Sequence, residues 1–290
     1  KTLNREFLLS KGYLFVLRPN GYTKEDLAKL EKLDFEKNEI GEIEANVLDD
    51  CTNLRELYLD KNKLTQIDGN IFKPLTKLTF LWLHYNKIEK IDANAFENCS
   101  NLTELSLRNN QLTRIDGITF KHLNKLTLLR LDGNQIDTID PKAFDNCTSL
   151  TQLGLSYNKL IQIDGNLFKK LTKLTSLALS NNKIKAIDAK LFETCSNLTE
   201  LYLHNNQLRE VYNGTFKHLK SIKILAIHNN KVPILSFCSN INYSESSKIV
   251  FKYQKYLTKW DLFLKEVFIC FVIFNFSHFY FIIYNPGRDI

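Results

Sequence analysis

Leucine or isoleucine stands at positions 30, 54, 78, 102, 126, 150, 174, 198 and 222, a constant step of 24 residues. Around each lies one pattern, LxxLxLxxNxLxxIxxxxFxx(L/C)xx, seen plainly in "LTELSLRNNQLTRIDGITFKHLNK" at 102–125. In "LTELSL" the alternate leucines face one side of a short strand and the residues between them face the other. The second half, "IDGITFKHLNK", has irregular apolar spacing that suits a tight, partly helical return. Such a unit cannot bury its apolar face alone, so the units must stack, with their strands forming a parallel sheet.

A period of 48 residues overlies the first. The twenty-second position of successive units reads Cys51, Leu75, Cys99, Leu123, Cys147, Leu171, Cys195, Leu219. The twentieth alternates in charge from Asp49 and Lys73 to Glu193 and Lys217, which predicts a ladder of opposite charges. A cysteine in a slot that neighbouring units fill with leucine reads as a small core hydrophobe. Successive ladder cysteines should lie roughly 9–10 Å apart on sheet spacing. That is beyond the roughly 7 Å a disulfide allows between Cα atoms.

Nine consecutive units of this pattern identify a resemblance to the leucine-rich-repeat family over about residues 24–235. The phenylalanine near position 19 is similar to the 24-residue subtype of extracellular receptors, adhesion proteins and matrix proteins. The resemblance implies an α/β solenoid, or horseshoe. Its concave face would carry the parallel β-sheet and its convex side short helical or irregular returns. It also implies a general role in protein recognition. The family's extracellular members close their ends with disulfide-bonded caps, whereas residues 1–50 here contain no cysteine.

The recurrent asparagines, Asn38 to Asn230, fall at the bend after each strand, where a buried amide can satisfy backbone groups. The "ID" aspartates, Asp68 to Asp188, begin each return and read as turn caps rather than calcium ligands. Asn98, Asn101, Asn146, Asn197, Asn213 and Asn242 begin N-x-S/T triplets and are candidate N-glycosylation sites if the chain is secreted.

The net charge of +7 is mild for 290 residues and no long run of like charge occurs, which argues against nucleic acid as a partner. The chain contains no methionine and begins at Lys1, so it is expected to lack its original N-terminus.

Residues 1–29 read as an N-terminal cap region, with a capping-box-like T-x-x-D opening "TKEDLAKLE" at 23–31. The nine-unit solenoid then spans 30–235. An amphipathic linker or cap follows at 236–266, a candidate membrane segment at 267–284 and a tail at 285–290. The apolar run 267–284 reads as a membrane segment, a buried cap or a non-native tail. Membrane association is expected through 249–284. Lysines before the run and only Arg288 after it would place the repeats in the cytosol. The repeat subtype instead favours the extracellular face.

No Gly-rich phosphate loop, H-E-x-x-H, Cys-x-x-Cys or nucleophile elbow appears, so the reading is non-catalytic, with no cofactor and no small-molecule substrate. His204 and His228, near Glu200 and Tyr202, fall at the same position of adjacent units but offer too few ligands for zinc.

The expected function is binding of a protein ligand through the concave face, in a receptor or adhesion-type ectodomain. The alternative is an intracellular, tail-anchored scaffold. Positions 3, 5, 7 and 8 of each unit should project from that face. In units 2 to 5 they gather Tyr58, Phe80, Trp82, His84, Tyr85, Arg108, Arg130 and Asp132, the candidate ligand-binding residues. Units 6 and 7 offer Gly154, Ser156, Ala178 and Ser180.

Overall fold

A computed structural model describes residues 1–10, 23–212 and 214–232. The expectations for residues 236–290, for Asn213 and for Asn242 lie outside them.

The central feature is a nine-stranded parallel sheet whose strands follow chain order, from Lys32–Asp34 to Ile224–Ala226. Every pairing is offset by one unit: Leu57 lies beside Leu81, Leu81 beside Leu105 and Leu129 beside Leu153. The alternation predicted from "LTELSL" is present, since the middle residue of each strand is buried while its neighbours reach the surface of the sheet in most units.

Behind the sheet the core is built in columns. Phe72, Phe96, Phe120 and Phe144 stack with ring centroids 6.1–6.2 Å apart. Cys51, Cys99, Cys147 and Cys195 are buried free thiols in the leucine slot. Burial pushes their thiols up, to about 12 at Cys99 and Cys147 and about 11 at Cys51 and Cys195.

Two polar ladders tie the units together. From Asn62 onward each bend asparagine bridges two units: Asn110 Nδ2 donates to Leu107 O at 3.0 Å and Leu83 O at 2.9 Å, while its Oδ1 accepts from Ile88 N at 3.0 Å. The second ladder has no forecast in the repeat consensus. Thr79, Thr103, Thr127, Thr151, Thr175 and Thr199 each donate a hydroxyl to the position-2 carbonyl of the preceding unit, at 2.9–3.0 Å. The asparagine ladder satisfies buried backbone N–H groups that a thin solenoid would otherwise leave unpaired. The position-2 carbonyls already accept two backbone N–H groups each, so the second ladder satisfies the threonine hydroxyls.

The returns are runs of tight turns rather than helices, with successive bonds such as Ile71 N to Asp68 O and Leu75 N to Phe72 O. Three of the six aspartates cap them as expected: Asp140, Asp164 and Asp188 accept from the backbone N–H two residues on, each at 2.8 Å. Asp92 instead accepts from Gly69 N of the preceding unit, and Asp116 from the Arg114 side chain.

The 48-residue period takes physical form on the convex side, where two-residue strands pair in twos. Gln66–Ile67 joins Lys90–Ile91, and Arg114–Ile115 joins Thr138–Ile139. Glycine in the first unit of a pair admits the aspartate of the second. A Cβ on Gly117 would lie 2.8 Å from Asp140 Oδ1, and one on Gly165 would lie 2.7 Å from Asp188 Cγ. The alternating charges at position 20 do not form the predicted ladder: among the described residues none of them makes an ion pair. Those side chains project separately into solvent.

At the N-terminal end, Thr23 and Asp26 form the predicted capping box on a helix at Lys24–Ala28, and Leu27 of that helix is buried. The strand Thr2–Leu3 pairs with Glu42–Ile43 of the first unit, adding a rung to the convex side. Among the described residues no helix is long and apolar enough to cross a membrane.

Candidate binding face

Strand alternation carries positions 3 and 5 of each unit to the concave side. The next turn sets positions 7 and 8. Every described position-8 residue has positive φ, from Lys37 at 56° through Tyr85 at 55° and Gly133 at 68° to Asn229 at 55°. Asparagine and glycine tolerate this left-handed conformation best and hold five of the nine units, while Lys37, Lys61, Tyr85 and Tyr157 hold the other four. Tyr157 is 63% exposed.

The aromatic residues forecast for units 2 to 5 meet. The Tyr58 and Trp82 rings contact edge-on at 4.8 Å between centroids, Trp82 and His84 at 5.5 Å, and His84 and Tyr85 at 5.6 Å. Phe80 lies beside Trp82 on the same strand and is half-buried. The Tyr58 hydroxyl donates to Glu56 at 3.0 Å, and Lys32 Nζ sits 4.6 Å above the Tyr58 ring centre. Burial and the bond to Glu56 push the Tyr58 phenol up to about 12.

His84 has a partner in the neighbouring unit. Its Nε2 lies 3.4 Å from Asp60 Oδ2, at the same position one unit earlier. Burial pulls the imidazole below its usual value, with Asp60 opposing, and burial raises the Asp60 carboxyl. Charge spacing of 24 residues at position 7 was the available signal.

Arg108 and Arg130 are exposed. Asp132 is instead folded into the wall: only 9% exposed, it accepts from Ser156 N at 3.0 Å through Oδ1. Its Oδ2 is buried without a hydrogen-bond partner among the described residues. Burial raises its carboxyl above the usual range. Ser156 and Ser180, expected on display, are buried as well, with their hydroxyls 2.8 Å apart.

His204 and His228 stack face to face, with ring centroids 4.6 Å apart and planes 7° apart. Ring nitrogens in parallel planes point side by side rather than to one centre, which does not suit chelation of a single ion. The described triplet asparagines are all tied to the preceding unit. Asn98, Asn101, Asn146 and Asn197 donate to Lys73 O, Thr76 O, Lys121 O and Thr172 O at 2.8–2.9 Å.

Leucine rich repeat models match residues 5–64, 52–112, 76–136, 100–160, 149–208 and 172–232. The chain belongs to the leucine-rich-repeat family. Among solved structures, this leucine-rich-repeat chain is similar to one described as the crystal structure of a TLR13–ssRNA13 complex. The TM-score is 0.72 at 27% identity, over 80% of this chain. It spans 34% of that longer chain. No curated protein sequence matches.

Proposed function

We propose that this leucine-rich-repeat chain is a binding module that recognises a protein partner through its concave face, in a receptor or adhesion-type role. One observation carries the reading. Tyr58, Trp82, His84 and Tyr85 form a continuous ring cluster on the concave side, and none of the four belongs to the buried core. Aromatic residues held rigidly at a surface are the usual anchors of protein interfaces. The charge of the face favours protein over nucleic acid: positions 3, 5, 7 and 8 of the nine units carry five Lys or Arg against seven Asp or Glu. A nucleic-acid groove needs a clear basic excess. TLR13 was captured with ssRNA13, so RNA is the natural competitor in any screen.

The test is to screen the full chain against purified ectodomains and then to compare two variants on the partner found. Trp82→Ala should weaken binding by about 2 kcal/mol or more. Gln152→Ala, on the same face in unit 6, should change it little, and neither should shift the melting temperature. Equal, small losses at both positions would refute a focused site.

One observation favours a second reading, a scaffold inside the cell: the helix Lys24–Ala28 and the strand Thr2–Leu3 cover the first unit with no cysteine anywhere in residues 1–50. Glycan occupancy of Asn146 in native material separates the two readings, because only a secreted chain would carry it.

A further inference from the structure

Five cations occupy the displayed positions of the concave face, and their surroundings differ. Lys32 lies 3.6 Å from Glu56, while Lys37 and Lys61 lie 3.3 and 2.7 Å from Glu36. Arg108 and Arg130 are exposed, and among the described residues neither makes an ion pair. The two stand close in the fold. Arg130 is paired in register with Ser106, and Arg108 follows Ser106 by two residues.

The nearby carboxylate, Asp132, feels the charge of both arginines but makes no ion pair with either among the described residues. Asp132 is drawn toward unit 6 by the Ser156 N–H, and its second oxygen lies over Gly154, where a Cβ would come within 2.1 Å of it. Glu104 stands at the start of its strand, among the described residues without an ion pair. The floor around the arginines is low: Ser106 is buried, Gly154 has no side chain, and Gly133 at positive φ accommodates the Asn109 amide. The walls are aromatic, with Trp82 and Tyr85 on one side and Tyr157 on the other, the last 63% exposed.

Two guanidiniums facing solvent from a shallow floor between aromatic walls match one kind of ligand well. Guanidinium forks bind carboxylates with paired N–H donors, and aromatic rims cover the aliphatic stems that carry them. We infer that Arg108 and Arg130 receive the carboxylate side chains of an acidic peptide segment on the protein partner. This rests on the proposed concave-face reading and specifies its partner.

The experiment uses the full chain and two short fluorescent peptides, one alternating glutamate with tyrosine and the other with glutamine in place of every glutamate. Polarisation should show the glutamate peptide binding at least about tenfold more tightly, a preference of about 1.4 kcal/mol. The double variant Arg108→Gln/Arg130→Gln should lose that preference while keeping its melting temperature. Trp82→Ala should weaken both peptides alike and leave the ratio between them unchanged.

Equal binding of the two peptides, binding of neither, or a preference that survives in the double variant would overturn the inference. So would displacement of the peptide by oligouridylate at lower concentration than by the unlabelled peptide, which would point to RNA instead. The broader reading fails separately. A screened partner that is lost in Trp82→Ala but unaffected by the double arginine variant keeps the concave site and removes its acidic ligand.

Discussion

Units 2 to 5 and units 6 to 9 share one scaffold and present different surfaces. In both, the bend asparagine spans two units with the same bonds: Asn86 Nδ2 reaches Leu59 O and Leu83 O at 2.9 and 3.0 Å, and Asn182 Nδ2 reaches Leu155 O and Leu179 O at 2.9 and 3.1 Å. In the first region the displayed positions hold linked rings and unpaired arginines. In the second they hold a buried serine pair, Gly154, Ala178, a ring chain from Tyr202 through His204 to His228 that lacks any arginine, and an amide chain in which Asn229 donates to Asn205 and Asn205 to Asn181, at 2.6 and 2.9 Å. The hydrogen bonds of the wall are therefore a constant, and whatever distinguishes this solenoid from another with the same consensus lies in the displayed columns.

If the scaffold is shared, breaking it should cost the same in either region. Asn86→Ala and Asn182→Ala each strand one buried N–H, of Leu64 or Leu160, at about 1–3 kcal/mol. Each also removes one of the two asparagine donors on a pair of carbonyls that a neighbouring asparagine still reaches. Each should therefore lower stability by about 2–4 kcal/mol in chemical denaturation. A loss in only one region would show that the two walls are not equivalent.

A smaller effect tests the seam between the regions. Gly154→Ala forces the Asp132 carboxylate off its place, because the new Cβ would stand 2.1 Å from Oδ2. A loss of about 1–3 kcal/mol is expected, as for other overpacked sites. Adding Asp132→Ala should recover most of it, and a double-mutant cycle measures the coupling. Additive losses would mean that the clash is relieved elsewhere.

Within the second region, Ser156→Ala and Ser180→Ala each remove one end of a buried hydroxyl pair and should cost about 1 kcal/mol. The double variant should cost little more than either single one. Thermal melts of the three variants check this.

The thiols should have no effect at neutral pH and a growing one above it. Their folded values of about 11–12 exceed the ordinary thiol value of 9.0, so the stability they contribute is intact below the unfolded value. It is lost as pH rises from there through the folded values. Denaturation midpoints followed upward from pH 9 should fall more steeply for the parent than for a variant with all four changed to alanine. At neutral pH the native thiols should react with a disulfide reagent only on unfolding.

Much of the scaffold was legible because its instructions are local and repeated. The constant step predicted the strands and their register, the leucine slot identified Cys99 as core, and the short carboxylates of Asp140, Asp164 and Asp188 capped their turns. What escaped depends on where a side chain is carried in space. Position 8 is left-handed, so Tyr85 and Tyr157 stand on a rim rather than flat on the sheet. Position 7 buries its short side chains, Asp60, Asp132, Ser156 and Ser180, and it brings Asp60 to His84. Opposite charges repeated every unit predicted pairing at position 20, but long exposed side chains gain little from it, about 0.2–1 kcal/mol for a pair, and they stay apart. The ring cluster was foreseen as a set of residues, while the contacts that orient Trp82 between Tyr58 and His84 were not.

The pairing of convex strands in twos sets a quantum of length for this molecule. Gly117 accepts Asp140 from the unit above it, and Leu123 lies between the cysteine-bearing units that hold Cys99 and Cys147. Removing 48 residues, such as 102–149, would bring together junctions that already exist elsewhere in the stack. Removing 24 would set cysteine beside cysteine or leucine beside leucine, and would leave a glycine with no aspartate or an aspartate with no glycine. A concave surface built this way can be lengthened or shortened, but in double steps, so its reach and curvature change by increments of two strands.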